Sequence, residues 1–401
     1  MTYNFITFRS YSARAMEKVA IVGVGISKFG NRADASLPEL AFEAVKEALD
    51  DAGMQTRDVE ASVIGNANQF LAGASQPGAI IGSYLGLTPK PSVTISEACA
   101  TGSAAIRVGW ALIKSGLYST VLVCGAEKMN EIPTPTAIEM MALAGDPKWE
   151  LSPTGITDAG TYAMFANAHM SKYGTTERQL AAVAVKNHKY AAMNPLAQFQ
   201  KEITIEAALN ARVVAHPLKL LDCSPISDGA SAVILASEER ARQLTDTPIY
   251  ILGVGCATDT ATQQGRDSLT GLESAVEASG QAYGMAGIGP KDVDVACVHD
   301  CFTIAEIMAY EDLGFCRKGE GGKLVEEGQT SIGGKIPVNV DGGLKAKGHP
   351  LGATGVAMAA EITKQLRGDA GRRQVSGAEI GLTHNVARHG THCVVLAYGR
   401  K

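Results

Sequence analysis

"DAGMQTRDVEASVIGN", residues 51–66, has a second copy in the same chain, "MAGIGPKDVDVACVHD", at residues 285–300. In each copy a glycine (Gly53 or Gly287) follows a helical stretch, a short polar turn comes next, and an apolar run reads as a buried strand. The match extends upstream. "VAIVGVGISKF" at 19–29 corresponds to "IYILGVGCATD" at 249–259, so Gly23-Val24-Gly25 and Gly253-Val254-Gly255 each close an apolar strand. It also extends downstream. "SVTIS", a small-residue helix from about Gly102 to Lys114, and "TVLVCGAE" in one half answer to "IPVNV", a helix from about Thr354 to Leu366, and "EIGLTHN" in the other. Strands and helices that alternate twice at one offset predict an α/β fold of duplicated halves packed as one pseudo-symmetric body.

The halves run from 16 to 248 and from 249 to 401. The first carries a segment without a counterpart, about 129–225, rich in methionine, asparagine and proline. It includes an amphipathic helix at "TERQLAAVAVKNHKYAAM", with Leu180, Val183 and Asn187 at helical spacing. Uncopied insertions on a symmetric scaffold are where specificity commonly sits, so this segment is expected to cover the active site. The paired glycines invite a dinucleotide-binding reading. That fingerprint needs a third glycine where Lys28 stands, and its presence in both halves assigns it to the scaffold.

A chain of 401 residues that is 46% apolar can bury two packed cores. Its net charge of -5 offers no basic excess for a nucleic acid or an anionic membrane. No apolar stretch reaches the roughly 18 residues of a membrane span. Eight cysteines scattered over this length read as reduced thiols of the cytoplasm rather than a disulfide scaffold. Residues 1–15, with arginine and serine but no acid, read as a disordered extension ahead of "EKVAIVGVG", or alternatively as a short transit peptide.

Four groups could carry chemistry. Cys99 follows the strand "SVTIS" and precedes a helix whose N-terminus would favour a thiolate, although a lone cysteine among apolar residues also serves as packing. His349 lies in "KGHPLGATG", also ahead of a helix. If the halves are duplicates, Cys99 and His349 come from equivalent strand-to-helix junctions and meet at the pseudo-twofold axis as nucleophile and base. "CVHDCF" places Cys297, His299 and Cys301 at alternate positions of a strand end, but the second ligand pair of a zinc site is missing. "THNVARHGTHC" holds His384, His389 and His392, and by itself passes for strand, turn and strand with surface histidines.

Taken together and in order, "EACATGSAA", "NPLAQF", "ISDGASAV", "HDCF", "GGLKAKGHPLGATG" and the ending "LTHN...VVLAYGR" resemble the thiolases of the sterol-carrier-protein type and their archaeal relatives, over nearly the whole chain from Lys18. The resemblance implies a thiolase fold, with two packed mixed sheets, helices between and outside them, and an inserted loop domain. It implies that Cys99 takes up an acyl group and His349 assists. With "HDCF" in place of the "NEAF" of many thiolases, Cys301 becomes the acid/base and His299 an oxyanion donor. Cys393, inside the apolar run "CVVLAY", reads as core packing. The implied activity is acetyl-CoA C-acetyltransferase, the reversible condensation of two acetyl-CoA to acetoacetyl-CoA. Coenzyme A is co-substrate, and no metal or redox cofactor is expected. Alternatives are an acyltransferase of other chain length or a non-catalytic subunit. The implied partners are a second copy or three more of this chain, and a complex with 3-hydroxy-3-methylglutaryl-CoA synthase and a zinc-containing bridging protein.

The sequence departs from that family in one place. After "THN" a glycine-rich turn is usual, its backbone N–H aimed at the acyl-enzyme oxygen. Here the turn is Val386-Ala387-Arg388-His389-Gly390, whose side chains resist positive φ and take up room. Either the loop has shifted or the acyl pocket is altered.

Overall fold

The computed structural model describes residues 17–71 and 73–400. The N-terminal extension expected at 1–15 therefore lies outside the described residues. Nine strands form one sheet: β1 (Val19–Ile26), β2 (Ala61–Gly65), β3 (Ser92–Ile95), β4 (Thr120–Glu127), β5 (Gly229–Ser237), β6 (Ile249–Thr258), β7 (Val295–Val298), β8 (Ile380–Ala387) and β9 (His392–Gly399). Their order is β3-β2-β4-β5-β1-β6-β9-β8-β7. Outward from the centre, β1, β5, β4 and β2 match β6, β9, β8 and β7, with the same sequence of antiparallel and parallel pairings on both sides. The two mixed sheets are joined edge to edge, because β1 and β6 pair antiparallel through Ala20–Tyr250 and Ile21–Ile249.

The counterpart of β3 in the second half is the expected strand "IPVNV". It is reduced to a single parallel bridge, Ala296 with Val338. Pro337 has no N–H to give a ladder, and Asn339 sits at φ +55. The Asn339 side chain takes over, accepting from the Val298 N–H at 2.8 Å.

Seven helices reach ten residues or more among the described residues: α1 (Leu37–Asp51), α2 (Thr101–Lys114), α3 (Asp158–Tyr173), α4 (Glu177–Ala191), α5 (Glu273–Ala286), α6 (Thr303–Asp312) and α7 (Leu351–Arg367). Helix α1 packs on β1 and α5 on β6, while α2 and α7 pack on each other and on strands of both halves as the middle layer. The paired glycines explain how the outer helices come so close. A Cβ at Gly23 or Gly25 would stand 2.2 or 2.0 Å from the carbonyl oxygens of Ala48 and Ala44, and one at Gly253 or Gly255 would stand 2.1 or 1.8 Å from those of Ala282 and Ala278. These glycines are consumed by helix-on-strand packing. Both copies of the repeat end their helix in the same way, with Gly53 at φ +62 and Gly287 at φ +68. Each then makes a one-turn 3-10 helix capped by an aspartate, Asp58 or Asp292.

Between β4 and β5 the chain leaves the sheet for about a hundred residues. This excursion is mainly helical, with α3 and α4 as its longest elements and a two-stranded hairpin of Val213–Ala215 and Leu218–Lys219. Leu180, Val183 and Asn187 of α4 are buried, as their spacing predicts.

Candidate active site

Cys99 stands where β3 gives way to α2. The preceding Ala98 takes φ +45, and the Thr101 hydroxyl accepts from the Glu97 N–H at 2.7 Å and donates to the Ala98 carbonyl at 2.6 Å. This tight turn sets the cysteine at the head of the helix, half-buried and lining two cavities of about 500 Å3 each.

His349 is the matching residue of the other half, immediately ahead of α7. The motifs around it hold it in place. The Gln198 and Phe199 N–H groups of "NPLAQF" donate to the carbonyls of Lys347 and Ala346. The His349 N–H donates to the Ser227 hydroxyl of "ISDGASAV" at 2.9 Å. Asp300 of "HDCF" accepts from the N–H groups of Leu344 and Lys345 and from the Asn187 amide. Asp300 is thus an anchor for the loop that carries His349. Burial, reinforced by Glu306, pushes its carboxyl up to about 7.

One ring nitrogen from each of His299 and His349 and the Cys99 Sγ all lie within 4.8 Å of one another. The two imidazoles meet edge to face, centroids 5.2 Å apart. Their hydrogen bonds assign them different tautomers. The Thr354 hydroxyl donates to the Pro350 carbonyl, so at 2.7 Å from His349 Nδ1 it must accept, which leaves Nε2 of His349 with a free lone pair. Asn385 works the other way. Its Oδ1 accepts from the Ser103 N–H at 3.4 Å, and its NH2 donates to the Cys99 carbonyl at 2.9 Å and to His299 Nδ1 at 3.2 Å. Nε2 of His299 therefore carries the hydrogen. Both Nε2 atoms are buried without a protein partner. One is a base and the other a donor, on either side of a thiol.

Charge follows burial. The Cys99 thiol is pushed up to about 12, first by burial and then by the Asp158 carboxylate, against the Arg388 backbone N–H that points at its sulfur. Burial also holds His349 and His384 down to about 3 and His299 well below its ordinary value. Sequence reasoning expected the helix N-terminus to favour a thiolate, whereas burial and Asp158 hold the proton on Cys99. The resting pair is neutral thiol and neutral imidazole.

Cys301 follows β7 and faces the second cavity, together with Cys99, His349, Phe302 and Arg212. Its carbonyl accepts from the Ser224 N–H at 2.9 Å, and an isolated bridge joins Phe302 to Cys223, so the insertion fastens this loop. The arrangement brings Cys99, His299, Cys301 and His349 to one place, from both halves. Cys297 is not part of it, being buried on β7. Cys393 is buried within β9, opposite Val386. The strand-turn-strand at the C-terminus is present as β8 and β9, but His384 and His389 are buried rather than on the surface.

The altered turn has not moved away. Arg388 itself takes φ +48, and its N–H still meets Cys99. The strain is borne by contacts around its side chain: Nε donates to Asp158 at 3.1 Å, Glu150 lies 3.5 Å from the guanidinium, and Gly145 covers it so closely that a Cβ there would stand 1.2 Å from the nearest guanidinium nitrogen. Arg388 lines both cavities. Sequence reasoning left Asn385, Thr354, Asp158 and Tyr162 without roles. "THN" and "GHPLGATG" had flagged Asn385 and Thr354 as motif residues, whereas nothing local marks Asp158 and Tyr162.

Comparison with known proteins agrees with this architecture. Residues 19–239 match the family model of the thiolase N-terminal domain, and residues 255–400 match that of the thiolase C-terminal domain-like family. An acetyl-CoA acetyltransferase of Methanothermobacter thermautotrophicus is 46% identical over 386 residues, covering 96% of this chain and all of that protein. Sterol carrier protein 2 of Bos taurus is 40% identical over 397 residues, 94% of this chain and 72% of that protein. Among solved structures, the Ltp2-ChsH2(DUF35) aldolase superposes with a TM-score of 0.83 at 28% identity, over 96% of this chain and 98% of that one.

Proposed function

Since the chain belongs to the thiolase family and is an acyltransferase, we propose that it interconverts two acetyl-CoA with acetoacetyl-CoA and free coenzyme A through an acyl-Cys99 intermediate. The observation that carries this reading is the meeting of Cys99 with two imidazoles of opposite tautomer.

As the Cys99 sulfur adds to the thioester carbonyl, its proton passes to Nε2 of His349. The developing oxyanion lies where the Arg388 N–H reaches the sulfur. Coenzyme A leaves with a proton from Cys301, and its departure completes the acyl-enzyme. The second acetyl-CoA enters the cavity shared by Cys301 and His349. Cys301, now a thiolate, takes a proton from the α-carbon, and the Nε2–H of His299 holds the enolate oxygen. The carbanion attacks the acyl carbonyl, and Cys99 is released as the new carbon–carbon bond forms. As Cys99 is released it takes its proton back from His349, and the α-proton replaces the one Cys301 gave to coenzyme A, so every group ends as it began and the sequence also runs backwards as thiolysis. No metal or redox cofactor enters these steps.

The eight cysteines are all free. That supports a reducing compartment such as the cytoplasm. No helix among the described residues is long and apolar enough to cross a membrane. The proposed assembly is a homodimer or tetramer. The likeness to the Ltp2-ChsH2(DUF35) aldolase supports a further complex with a partner protein; the synthase and the zinc-containing bridging protein are the partners that the family resemblance implies. The test is acetoacetyl-CoA cleavage with and without coenzyme A. Cleavage that depends on coenzyme A is expected, and loss of acetoacetyl-CoA at the same rate without it would overturn the reading.

A further inference from the structure

We propose that Tyr162, from the inserted helix α3, is the positioning residue that couples the protonation of Cys301 to the backbone donor at Cys99; this rests on the acyl-transfer reading above. Tyr162 is 1% exposed, its ring stacked on Phe302 at 4.7 Å and edge-on to Phe165 at 5.5 Å. Its hydroxyl donates to the Arg388 carbonyl at 2.5 Å, and Tyr162 lines the same cavity as Cys301, the neighbour of Phe302, and acts on the Cys301 thiol. Arg388 is the residue at φ +48 whose N–H meets Cys99. One phenol therefore touches both the acid/base cysteine and the turn that faces the nucleophile.

A phenol has one hydrogen and can serve one acceptor at a time. While Cys301 keeps its proton, its S–H donates to Tyr162 Oη, and the Tyr162 O–H donates to the Arg388 carbonyl. Once Cys301 has given that proton to the leaving coenzyme A sulfur, its thiolate is the stronger acceptor, and the Tyr162 O–H turns to it. The Arg388 carbonyl is then released. When Cys301 takes the α-proton of the second acyl-CoA, the bond returns to Arg388. The anchor on the strained turn is thus present in one half of the cycle and absent in the other. The charged and titratable groups facing this pair are Cys99, Asp158 of α3, Asp300 of the β7–α6 loop, and Arg266 toward Tyr162. None of them receives the Tyr162 hydrogen.

Tyr162→Phe keeps the ring stack and removes the hydroxyl. In a Cys99→Ala background, alkylation of Cys301 by iodoacetamide, followed by peptide mass spectrometry across pH, reads the thiol directly. The expected result is a profile moved about one pH unit upward, which is about tenfold slower alkylation at a given pH below the midpoint. With Cys99 intact, transfer of label from acetyl-Cys99 to coenzyme A is expected to fall about tenfold, with KM for coenzyme A unchanged. Profiles and transfer rates that superimpose on the parent overturn the proposal, as does a lowered thermal midpoint with an unmoved profile. If the phenylalanine variant does not fold, 3-fluorotyrosine at position 162 supplies the second arm: its more acidic phenol is the stronger donor to the Cys301 thiolate, so the alkylation profile should move downward in pH, and an unmoved profile overturns the coupling. Absence of any label on the parent enzyme would strike the acyl-transfer reading instead, while the Cys301 profile would still report on Tyr162.

Discussion

The two cysteines at the site differ in what surrounds them, and they are expected to fail differently. Cys99 is the atom proposed to carry the acyl group, so Cys99→Ala should abolish both labelling of the protein by radioactive acetyl-CoA and turnover. Cys301 is proposed only to move protons. Cys301→Ala should still be labelled on Cys99 yet lose condensation, since removing a general base costs about a hundredfold to ten-thousandfold. It should also lose exchange of the acetyl-CoA methyl protons with solvent. Condensation at the parent rate in that variant would remove Cys301 from the mechanism. A second prediction follows from burial. With the thiol pushed up to about 12, the thiolate is the minor form at neutral pH. Raising the pH increases that fraction, so alkylation of Cys99 should climb about tenfold per pH unit from 7 to 9 without a plateau. His349, held down to about 3, stays neutral throughout this range and contributes no inflection. A plateau near neutrality would reveal a preformed thiolate–imidazolium pair, and the neutral resting state would be wrong.

At the scale of elements, the site depends on how closely two helices cross. α2 and α7 begin just after Cys99 and His349, and they touch where each carries a glycine. A Cβ at Gly102 would stand 2.7 Å from the Gly355 nitrogen, and one at Gly355 would stand 2.2 Å from the Ser103 nitrogen and 2.4 Å from Asn385 Oδ1. Backbone cannot yield cheaply, so Gly355→Ala must part the helices. It should lower stability by about 1–3 kcal/mol, seen as a lower urea midpoint. It should also cut acyl transfer, because Asn385 orients His299 and ties down the Cys99 carbonyl. Gly280→Ala, on the exposed side of α5 where a Cβ meets nothing within 4 Å, is the control and should leave acyl transfer unchanged while raising stability by about 0.5–1 kcal/mol. Equal behaviour of the two variants would mean that the crossing does not need its glycines.

For the molecule as a whole, the nine-stranded sheet ends on β3, whose Ser92, Val93 and Thr94 are exposed. An uncovered edge strand just ahead of Cys99 is a pairing surface. We therefore expect a dimer or a dimer of dimers. Light scattering at micromolar concentration should give at least twice the chain mass, and Val93→Lys should lower it. A monomeric mass for the parent protein would sink this expectation.

The duplicated halves, their strands and the packing of α4 were legible in the sequence, because glycine stops, turn residues and apolar periodicity act over a few neighbours. Cys99 could be singled out from its junction, with packing as the alternative, and the six ordered motifs singled out His299, Cys301 and His349, which the fold brings to the same place. The reduction of "IPVNV" to one bridge was not legible: Pro337 was visible, but the Asn339 side chain that replaces the ladder bonds acts across 41 positions of the chain. Nor were the tautomers of His299 and His349, which depend on Asn385 and Thr354 each having a single way to satisfy all its partners. Nor was the upward push on the Cys99 thiol, since Asp158, which adds to the effect of burial, reaches it only once the insertion has folded. Arg388 at a position that asks for glycine looked like a defect in the sequence. The fold makes it tenable, because Asp158, Glu150 and Tyr162 hold it from 226 to 238 residues away, and contacts of that reach exist only once the chain has closed on itself.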